Sequence, residues 1–537
     1  MENGQKNHKI KGKTEGWKKM NLQLVQTVTV IALIAFACLM VTIGVFSVRR
    51  IQKIEDFLLG GRNIGPWVSA FAYGTSYFSA VIFVGYAGKH GWDIGLGSLW
   101  IGIGNAVLGC LLAWKLLAKR TRSMTHTLQA KTMPEFFEGR YSSTAFKVVA
   151  ALIIFIFLVP YSAAVYKGLG GMFSAIFPGV PTSTWMLIIA VVTAIYLMLG
   201  GYVAAAYTDF IQGLIMIFGV FAMVIAIVNN KSVGGFGEFH QNLAAIPDNG
   251  DGITGAQLTN LFGGNAWKFL CTNILLTSFG TWGLPQMVSK YYAIKDDRSI
   301  KTATVVSTVF ALIIGAGAYF IGSLSRLVLN NQLPEGGHDA VIPSVLMQSL
   351  GGNLGTIIIL AVILLLLLSA SMSTLSSVVL SSASAISIDL APTIKKNYTK
   401  QQEMTLTRGL CILFVALSYI FATQNITIIV NIMSFSWGIV SGCFIGPYVW
   451  GIYSKKTTKD GAWAGMIAGF LTVAVTTIVL TAINAGGNDL YAAFKVASSK
   501  APEMGVAAMA VSLIVVPIVS AFTKKFSAEH IDKVFSK

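Results

Sequence analysis

The stretch "LLLLLSASMSTLSSVVLSSASAISIDL", Leu364 to Leu390, decides how this chain folds. It opens with five leucines, which suit a helix surrounded by lipid. Hydroxyl side chains then occupy six of the nine positions from Ser369 to Ser377. These hydroxyls need polar partners inside the protein, because the hydrocarbon core of a bilayer supplies none. The stretch therefore predicts a membrane-spanning helix that borders a polar interior.

The composition of the whole chain agrees with a membrane location. Of the 537 residues, 54% are hydrophobic and only 11% are charged, unlike a soluble domain. The formal net charge of +17 does not indicate nucleic acid, because the lysines and arginines form short clusters between apolar runs. Such clusters are typical of cytoplasmic loops beside anionic lipid headgroups. We therefore expect the lipid bilayer as a partner, and no nucleic acid.

The chain shows none of the usual signs of an enzyme. Its five cysteines lie in apolar runs without a CxxC pair, and its six histidines are scattered without metal-ligand spacing. No nucleophile–base constellation and no cofactor motif is recognisable. The sequence therefore predicts a protein that is not an enzyme and has no organic cofactor.

Apolar runs predict an all-α, multi-pass membrane protein of one domain, residues 1–537, with about thirteen transmembrane helices. The approximate spans are 22–48, 66–88, 94–118, 145–177, 184–200, 207–229, 266–289, 302–328, 354–388, 405–423, 425–452, 461–484 and 504–523. Alternate loops are basic, and one of these clusters contains Lys290, Lys295 and Arg298. This pattern places the basic loops and the C-terminus in the cytoplasm and the N-terminus outside the plasma membrane. The lysine-rich N-terminal tail runs against the same rule.

Two of the predicted spans look interrupted. One contains "AFAYGTSYFSAVIFVGYAG", Ala70 to Gly88, and the other contains "LLTSFGTWGLPQMVSKYY", Leu275 to Tyr292. Interrupted spans at equivalent places in two halves of a chain indicate a transporter site, where unwound backbone exposes its carbonyls to an ion or solute. The alternative is that glycine and proline only allow close packing or a kink.

One carboxylate stands out within the membrane. Asp209 begins an otherwise apolar span in "GGYVAAAYTDFIQGLIMIFG" and, at mid-helix, would cost about 3 kcal/mol. It therefore needs a partner or a wet cavity. Ser373, Ser376 and Ser377 share one helix face, and hydroxyl oxygens together with a carboxylate suit a hard cation. Back-bonding to helix carbonyls or helix packing is the alternative role for these serines.

Four motifs in this order resemble the sodium:solute symporter family over residues 50–460. They are "EDFLLGGRNIGPW" (Glu55 to Trp67), "GGYVAAAYTDFIQ" (Gly200 to Gln212), "WGLPQ" (Trp282 to Gln286) and "SMSTLSS" (Ser371 to Ser377). The resemblance implies two inverted five-helix repeats, 66–229 and 266–452, each with a broken first helix. A peripheral helix, 22–48, would precede them, and two C-terminal helices, 461–523, would follow. It also implies symport of sodium and a small organic solute, an amino acid or small carboxylate, into the cell by alternating access.

The resemblance also implies particular sodium ligands. The principal family site corresponds here to the backbones of Thr75, Phe78 and Ala370 and the side chains of Ser373 and Thr374. A second site, found in some members, corresponds to Asp209, Ser373, Ser376 and Ser377. Because all of these residue types are present, we expect two sodium ions.

The solute is less well defined by the resemblance. Tyr166 and Pro285 match pocket positions of the proline transporters, whereas Tyr77 stands where those proteins have an aspartate. An arginine that grips carboxylate in sialic-acid members is missing near Pro160. The candidate solute-binding residues are Tyr77, Val81, Tyr166, Lys167, Thr277, Ser278, Thr281 and Pro285. Lys167 has two interpretations: a lysine snorkelling to the outer interface, or a cation on the solute path that favours an anion.

Other functions remain open from the residues. The closest alternative is a proton-coupled carrier with Asp209 as the proton site. A second alternative is a transporter-like membrane sensor, although such proteins usually carry a long signalling extension. A third is a channel, but paired broken helices are more typical of a transporter that works by alternating access. We expect a monomer or a weak oligomer.

Overall fold

The computed structural model describes residues 2–48, 54–350, 353–395, 398–424, 426–485 and 489–536. In these ranges the chain is helical and contains no named strand, and one isolated parallel bridge joins Ile64 to Ile294. The helices are α1 (Glu2–Val48), α2 (Ile54–Leu59), α3 (Pro66–Tyr77), α4 (Gly88–Ile94), α5 (Leu99–Gly104), α6 (Lys119–Thr127), α7 (Met133–Tyr141), α8 (Thr144–Ile176), α9 (Thr182–Val228), α10 (Gly235–Ala244), α11 (Gly255–Thr259), α12 (Trp267–Gly283), α13 (Pro285–Ala293), α14 (Asp297–Ser323), α15 (Ser325–Val328), α16 (Val341–Ser349), α17 (Leu354–Ser384), α18 (Ala391–Ile394), α19 (Lys400–Thr423), α20 (Ile429–Tyr453), α21 (Lys459–Ala485), α22 (Leu490–Ser498), α23 (Ala501–Phe522) and α24 (Ala528–Val534).

Ten stretches of the described chain are helical, long enough and apolar enough to cross a bilayer. They are Gln23–Ser47, Pro66–Thr127, Thr144–Ile176, Gly201–Val228, Asp297–Val328, Leu354–Ile394, Gln401–Thr423, Ile429–Tyr453, Lys459–Ala485 and Ala501–Phe522. The predicted spans 66–88 and 94–118 both lie in the second of these stretches. The span 184–200 begins in a shorter apolar helix, Thr182–Ile195, and the span 266–289 is divided between α12 and α13. The multi-pass, all-helical fold is confirmed, while the number of thirteen spans, the division into repeats and the side of each terminus stay predictions.

Both predicted interruptions are present. Helix α3 ends where Phe78 adopts extended backbone, with φ −106° and ψ 116°. The chain then continues through a π-helical segment, Val81–Ala87, into α4. The second break lies at Leu284, where φ −86° and ψ 123° separate α12 from α13. Pro285 is the first residue of α13. A backbone N–H at this position has no acceptor within the helix, so proline loses no hydrogen bond there. Each break frees carbonyl groups at the end of the preceding helix.

A third break lies inside α9. Gly201 has φ 50° and ψ −145°, a backbone conformation that is essentially restricted to glycine. An added Cβ there would also lie 2.5 Å from the Phe57 ring. The break separates the apolar residues before it from the part of α9 that carries Asp209.

The serine-rich helix α17 lies at the centre of this arrangement. Asn353 caps its start by accepting a hydrogen bond from the Thr356 N–H, 3.0 Å away. The helix packs against α3, α8, α9 and α19. Its hydroxyl residues from Ser369 to Ser377 are all buried. The hydroxyls therefore face protein rather than lipid, as the sequence predicts.

Candidate ion and solute site

A cluster of oxygen atoms lies where α17 passes the end of α3. The Ser373 hydroxyl lies 2.9 Å from the Thr75 carbonyl oxygen. The Thr374 hydroxyl lies 3.3 Å from the same oxygen and 3.4 Å from the carbonyl oxygen of Ser76. Both hydroxyls also lie 3.0 Å from the Ala370 carbonyl oxygen, one turn earlier on α17. The structure thus brings together two hydroxyls and three carbonyls, and we call these five residues the oxygen cluster.

The oxygen cluster has more acceptors than donors. Each hydroxyl can donate one hydrogen bond, whereas every carbonyl and hydroxyl oxygen has two lone pairs that can accept one. All five residues are buried, so bulk water does not supply the missing donors. A small hard cation prefers such oxygens, and unwound backbone in a membrane protein can replace its hydration shell. The arrangement is therefore suited to a dehydrated monovalent cation.

The sequence anticipated most of this cluster and missed one member. Thr75, Ala370, Ser373 and Thr374 lie together as expected, but the carbonyl of Ser76 was not foreseen. Ser76 lies in the last turn of α3, where carbonyls lose their helical partners, so the helix end is the signal that would have found it. Phe78 lies at the break itself, and its role as a backbone ligand stays a prediction.

The predicted second group of ligands contains an unexpected cation. Asp209 is fully buried, and its carboxylate oxygen Oδ2 lies 3.9 Å from the Nζ of Lys290. Lys290 donates a 3.0 Å hydrogen bond to the Ser377 hydroxyl. The Ser376 hydroxyl donates to the Ser373 carbonyl at 2.7 Å, as back-bonding predicts.

By sequence, Lys290 is counted among the basic residues of a loop, and the structure contradicts the loop position. The residue lies within α13 and only 1% of its side chain is exposed. Clusters of Lys and Arg indicate which side of the membrane a loop lies on. They do not show whether one lysine of the cluster points into the protein. Asp209 is the sequence feature that indicates a buried cation, because a carboxylate inside the membrane needs a charged partner.

The predicted solute residues of the two broken helices meet one another. The Tyr77 hydroxyl donates a 2.6 Å hydrogen bond to the Thr277 carbonyl oxygen. Thr277 and Ser278 approach the side-chain oxygen of Asn105, at 2.7 and 3.3 Å. Thr281 lies close to the same π-helical segment, Asn105–Leu112, with its hydroxyl 3.3 Å from the Gly109 carbonyl oxygen. These contacts join the two broken helices to each other and to the π-helical segment, and we call this group of residues the polar region.

Two aromatic residues beside this region were missed by the sequence analysis. The ring of Trp437 stacks on Tyr77 with centroids 6.1 Å apart, and Tyr161 meets Trp437 edge-on at 5.7 Å. The Trp437 indole N–H and the Tyr161 hydroxyl are buried and make no hydrogen bond of good geometry among the described residues, although the Tyr161 hydroxyl approaches the side chains of Trp437 and Thr374. A buried polar group without a partner is available to a ligand. An isolated Trp or Tyr in an apolar span carries no sequence signal for this role.

The remaining predicted solute residues lie in different surroundings. Val81 is buried at the start of the π-helical segment after the first break, and Pro285 is buried at the start of α13. Tyr166 is buried on α8, where its hydroxyl approaches the Ser162 side chain. Their roles toward solute stay predictions.

Lys167 is engaged by neighbouring protein groups. Its Nζ lies 3.1 Å from the Asp339 carboxylate and donates a 2.6 Å hydrogen bond to the Thr427 carbonyl oxygen. Asp339 in turn accepts from the N–H of Ile429, at the start of α20. The ammonium is therefore paired within the protein, and its role toward solute stays a prediction.

Comparisons with known proteins identify the family of this chain. The sequence profile of the sodium:solute symporter family matches residues 57–469. The sodium/proline symporter of Escherichia coli K12 is 29% identical over 443 residues, covering 81% of this chain and 85% of that protein. The osmoregulated proline transporter OpuE of Bacillus subtilis 168 is 27% identical over 451 residues, covering 83% and 88%. A solved Na+-coupled sialic acid symporter in a substrate-bound outward-open state superposes with a TM-score of 0.72 at 18% identity, covering 93% of this chain and 98% of that one. By the family match over most of its length, the chain belongs to the sodium:solute symporter family.

Proposed function

We propose that this protein carries a small organic solute into the cell together with sodium, by alternating access in the plasma membrane. The observation that supports it most directly is the oxygen cluster, in which hydroxyls of α17 meet carbonyls at the broken end of α3. In that cluster the sodium ion would replace its water shell with protein oxygens from two helices. The proposal also draws on the relatives, several of which are sodium/proline symporters.

The geometry suggests how sodium would promote solute binding. A cation at the oxygen cluster draws α3 and α17 together, and α3 carries Tyr77, which contacts α12 through Thr277. Sodium therefore favours the arrangement in which the polar region between the broken helices is formed. By linkage, solute and sodium then tighten each other's binding by the same factor. Each sodium ion that enters supplies about 2.3 kcal/mol per 100 mV of membrane potential, besides its concentration gradient.

The side chains of the candidate solute region carry no unpaired cation among those named, which favours a zwitterionic amino acid over an anionic carboxylate. Tyr77, Tyr161 and Trp437 offer neutral polar groups and aromatic faces. The cation considered for an anionic solute, Lys167, is paired with Asp339. An amino acid of the proline kind matches the relatives, and a small carboxylate is the alternative class.

Transport by purified protein in liposomes tests this proposal. Vesicles loaded with potassium receive an inward sodium gradient, and uptake is followed for a panel of labelled amino acids and carboxylates. We expect accumulation of one class with sodium and none when choline replaces sodium. A proton gradient without sodium is the second arm, and accumulation in that arm alone would favour the proton-coupled alternative.

A further inference from the structure

The residues predicted to hold a second sodium ion surround a lysine side chain. Asp209 on α9 and Ser377 on α17 both face Lys290 on α13, so the three groups join three helices. The ammonium lies 3.9 Å from the Asp209 carboxylate, 3.0 Å from the Ser377 hydroxyl and 4.9 Å from the centre of the Tyr202 ring. The side chains of Asp209 and Lys290 are 0% and 1% exposed. The aspartate therefore has a buried counter-ion that belongs to the protein.

The serine hydroxyls of this group are also engaged. Ser377 accepts from Lys290, and its hydroxyl lies 2.7 Å from the hydroxyl of Ser76. Ser376 donates to the Ser373 carbonyl, and the Ser373 hydroxyl faces Thr75 in the oxygen cluster. Of the four predicted ligands, Ser377 is hydrogen-bonded to the ammonium, and Ser373 and Ser376 are bonded to backbone. Asp209 faces the ammonium at ion-pair distance, and neither of its oxygens makes a hydrogen bond within the described residues.

A sodium ion does not fit these residues as they stand. To bind both Asp209 and Ser377 it would have to share its ligands with the ammonium, a few ångströms away. The sodium ion and the ammonium would then share one carboxylate. In the low-dielectric interior of the protein these two cations would repel each other strongly. The oxygen cluster carries no such cation, and its ligands are neutral oxygens.

We infer that the Lys290 ammonium takes the place of the second sodium ion, so that this protein couples solute transport to one sodium ion. The inference rests on the proposed sodium-coupled function and opposes the two-ion expectation from sequence. Lys290 acts as a tethered cation: it neutralises Asp209 and, through Ser377 and Ser76, holds α17 against the end of α3. A mobile ion would do this only while bound.

Equilibrium binding of radioactive sodium to the purified full-length protein tests the inference without knowledge of the solute. We expect one ion per wild-type chain and one for Lys290→Arg, which keeps the charge. Lys290→Ala leaves the Asp209 carboxylate without its counter-ion and opens space, so this variant should bind two ions. Asp209→Asn/Lys290→Ala removes both charges and should return the count to one.

Other results would overturn the inference in distinguishable ways. Two ions bound by wild type, with one lost in Asp209→Asn, would show that sodium occupies this place, and the proposed function would stand. A wild-type protein that binds no sodium would overturn both proposals. Size-exclusion profiles and melting temperatures establish that each variant is folded. If Lys290→Ala is not, the wild-type and Asp209→Asn counts still decide the question.

Discussion

The hydroxyl of Ser373 donates a 2.9 Å hydrogen bond to the carbonyl oxygen of Thr75, across 298 positions of the chain. One residue lies at mid-length in a continuous helix and the other lies in the last turn of a helix that breaks. This contact exists because the break frees a carbonyl and because serine brings a short hydroxyl to it. In the proposed mechanism, sodium enters between these two helices.

Removing the Thr374 hydroxyl tests the ion site. Thr374→Ala deletes one ligand of the oxygen cluster, and a hydrogen bond to a charged group is worth about 1.5–3 kcal/mol. We therefore expect the sodium concentration for half-maximal uptake to rise by roughly tenfold or more. Thr374→Ser retains the hydroxyl and is the matched control. Equal sodium curves for the alanine variant and wild type would remove Thr374 from the site.

Removing the Tyr161 hydroxyl tests the solute region. Tyr161→Phe preserves the ring against Trp437 but deletes a buried hydroxyl that makes no hydrogen bond of good geometry within the described residues. We expect the apparent affinity for solute to fall about fivefold, since one hydrogen bond contributes about 1 kcal/mol. The sodium concentration for half-maximal uptake is measured in parallel, because the Tyr161 hydroxyl also approaches Thr374 of the oxygen cluster. Tyr292→Phe, which deletes another buried hydroxyl without a described partner, is the control and should leave both values alone.

Neutralising Lys167 tests whether this residue selects anions. Because its ammonium is paired with Asp339, Lys167→Met should leave the apparent affinity for solute unchanged. The same variant should weaken the contact between α8 and the segment before α16, which lowers the melting temperature. Asp339→Asn should also lower the melting temperature. The double variant should lower it by less than the sum of the two single decreases. Weaker uptake of carboxylates alone would instead place Lys167 on the solute path.

Replacing Gly201 tests the break inside α9. Gly201→Ala forces a side chain into a conformation that costs about 1–3 kcal/mol and towards the Phe57 ring. We expect a clear fall in melting temperature and in the yield of folded protein. Gly171→Ala on α8 is the control, because nothing lies within 4 Å of the added carbon. If the two variants melt at the same temperature, α9 does not bend as described.

The sequence was most informative where the physics is local. Leu284 ends a helix between Gly283 and Pro285, so this break could be located from residue type. Phe78 ends a helix four residues after Gly74, within the run of hydroxyl residues that marks the first interrupted span. The hydroxyl spacing from Ser373 to Ser377 predicted one helix face, which the structure confirms. The family match confirms the resemblance drawn from four short motifs.

The sequence was least informative where partners come from distant helices. Lys290 belongs by position to a run of basic loop residues, yet α13 turns it towards Asp209. Tyr161 and Trp437 are ordinary aromatic residues until α8 and α20 bring their rings together. Ser76 contributes its backbone carbonyl, which only the exact end of α3 could have indicated.

The central claim is that sodium binds between α3 and α17. Density maps of the same protein in saturating sodium chloride and in choline chloride test it most directly. The account predicts a density peak, present only with sodium, that touches the carbonyl oxygen of Thr75 and the hydroxyls of Ser373 and Thr374. Identical maps at this place, with sodium-driven uptake intact in the same preparation, would contradict it.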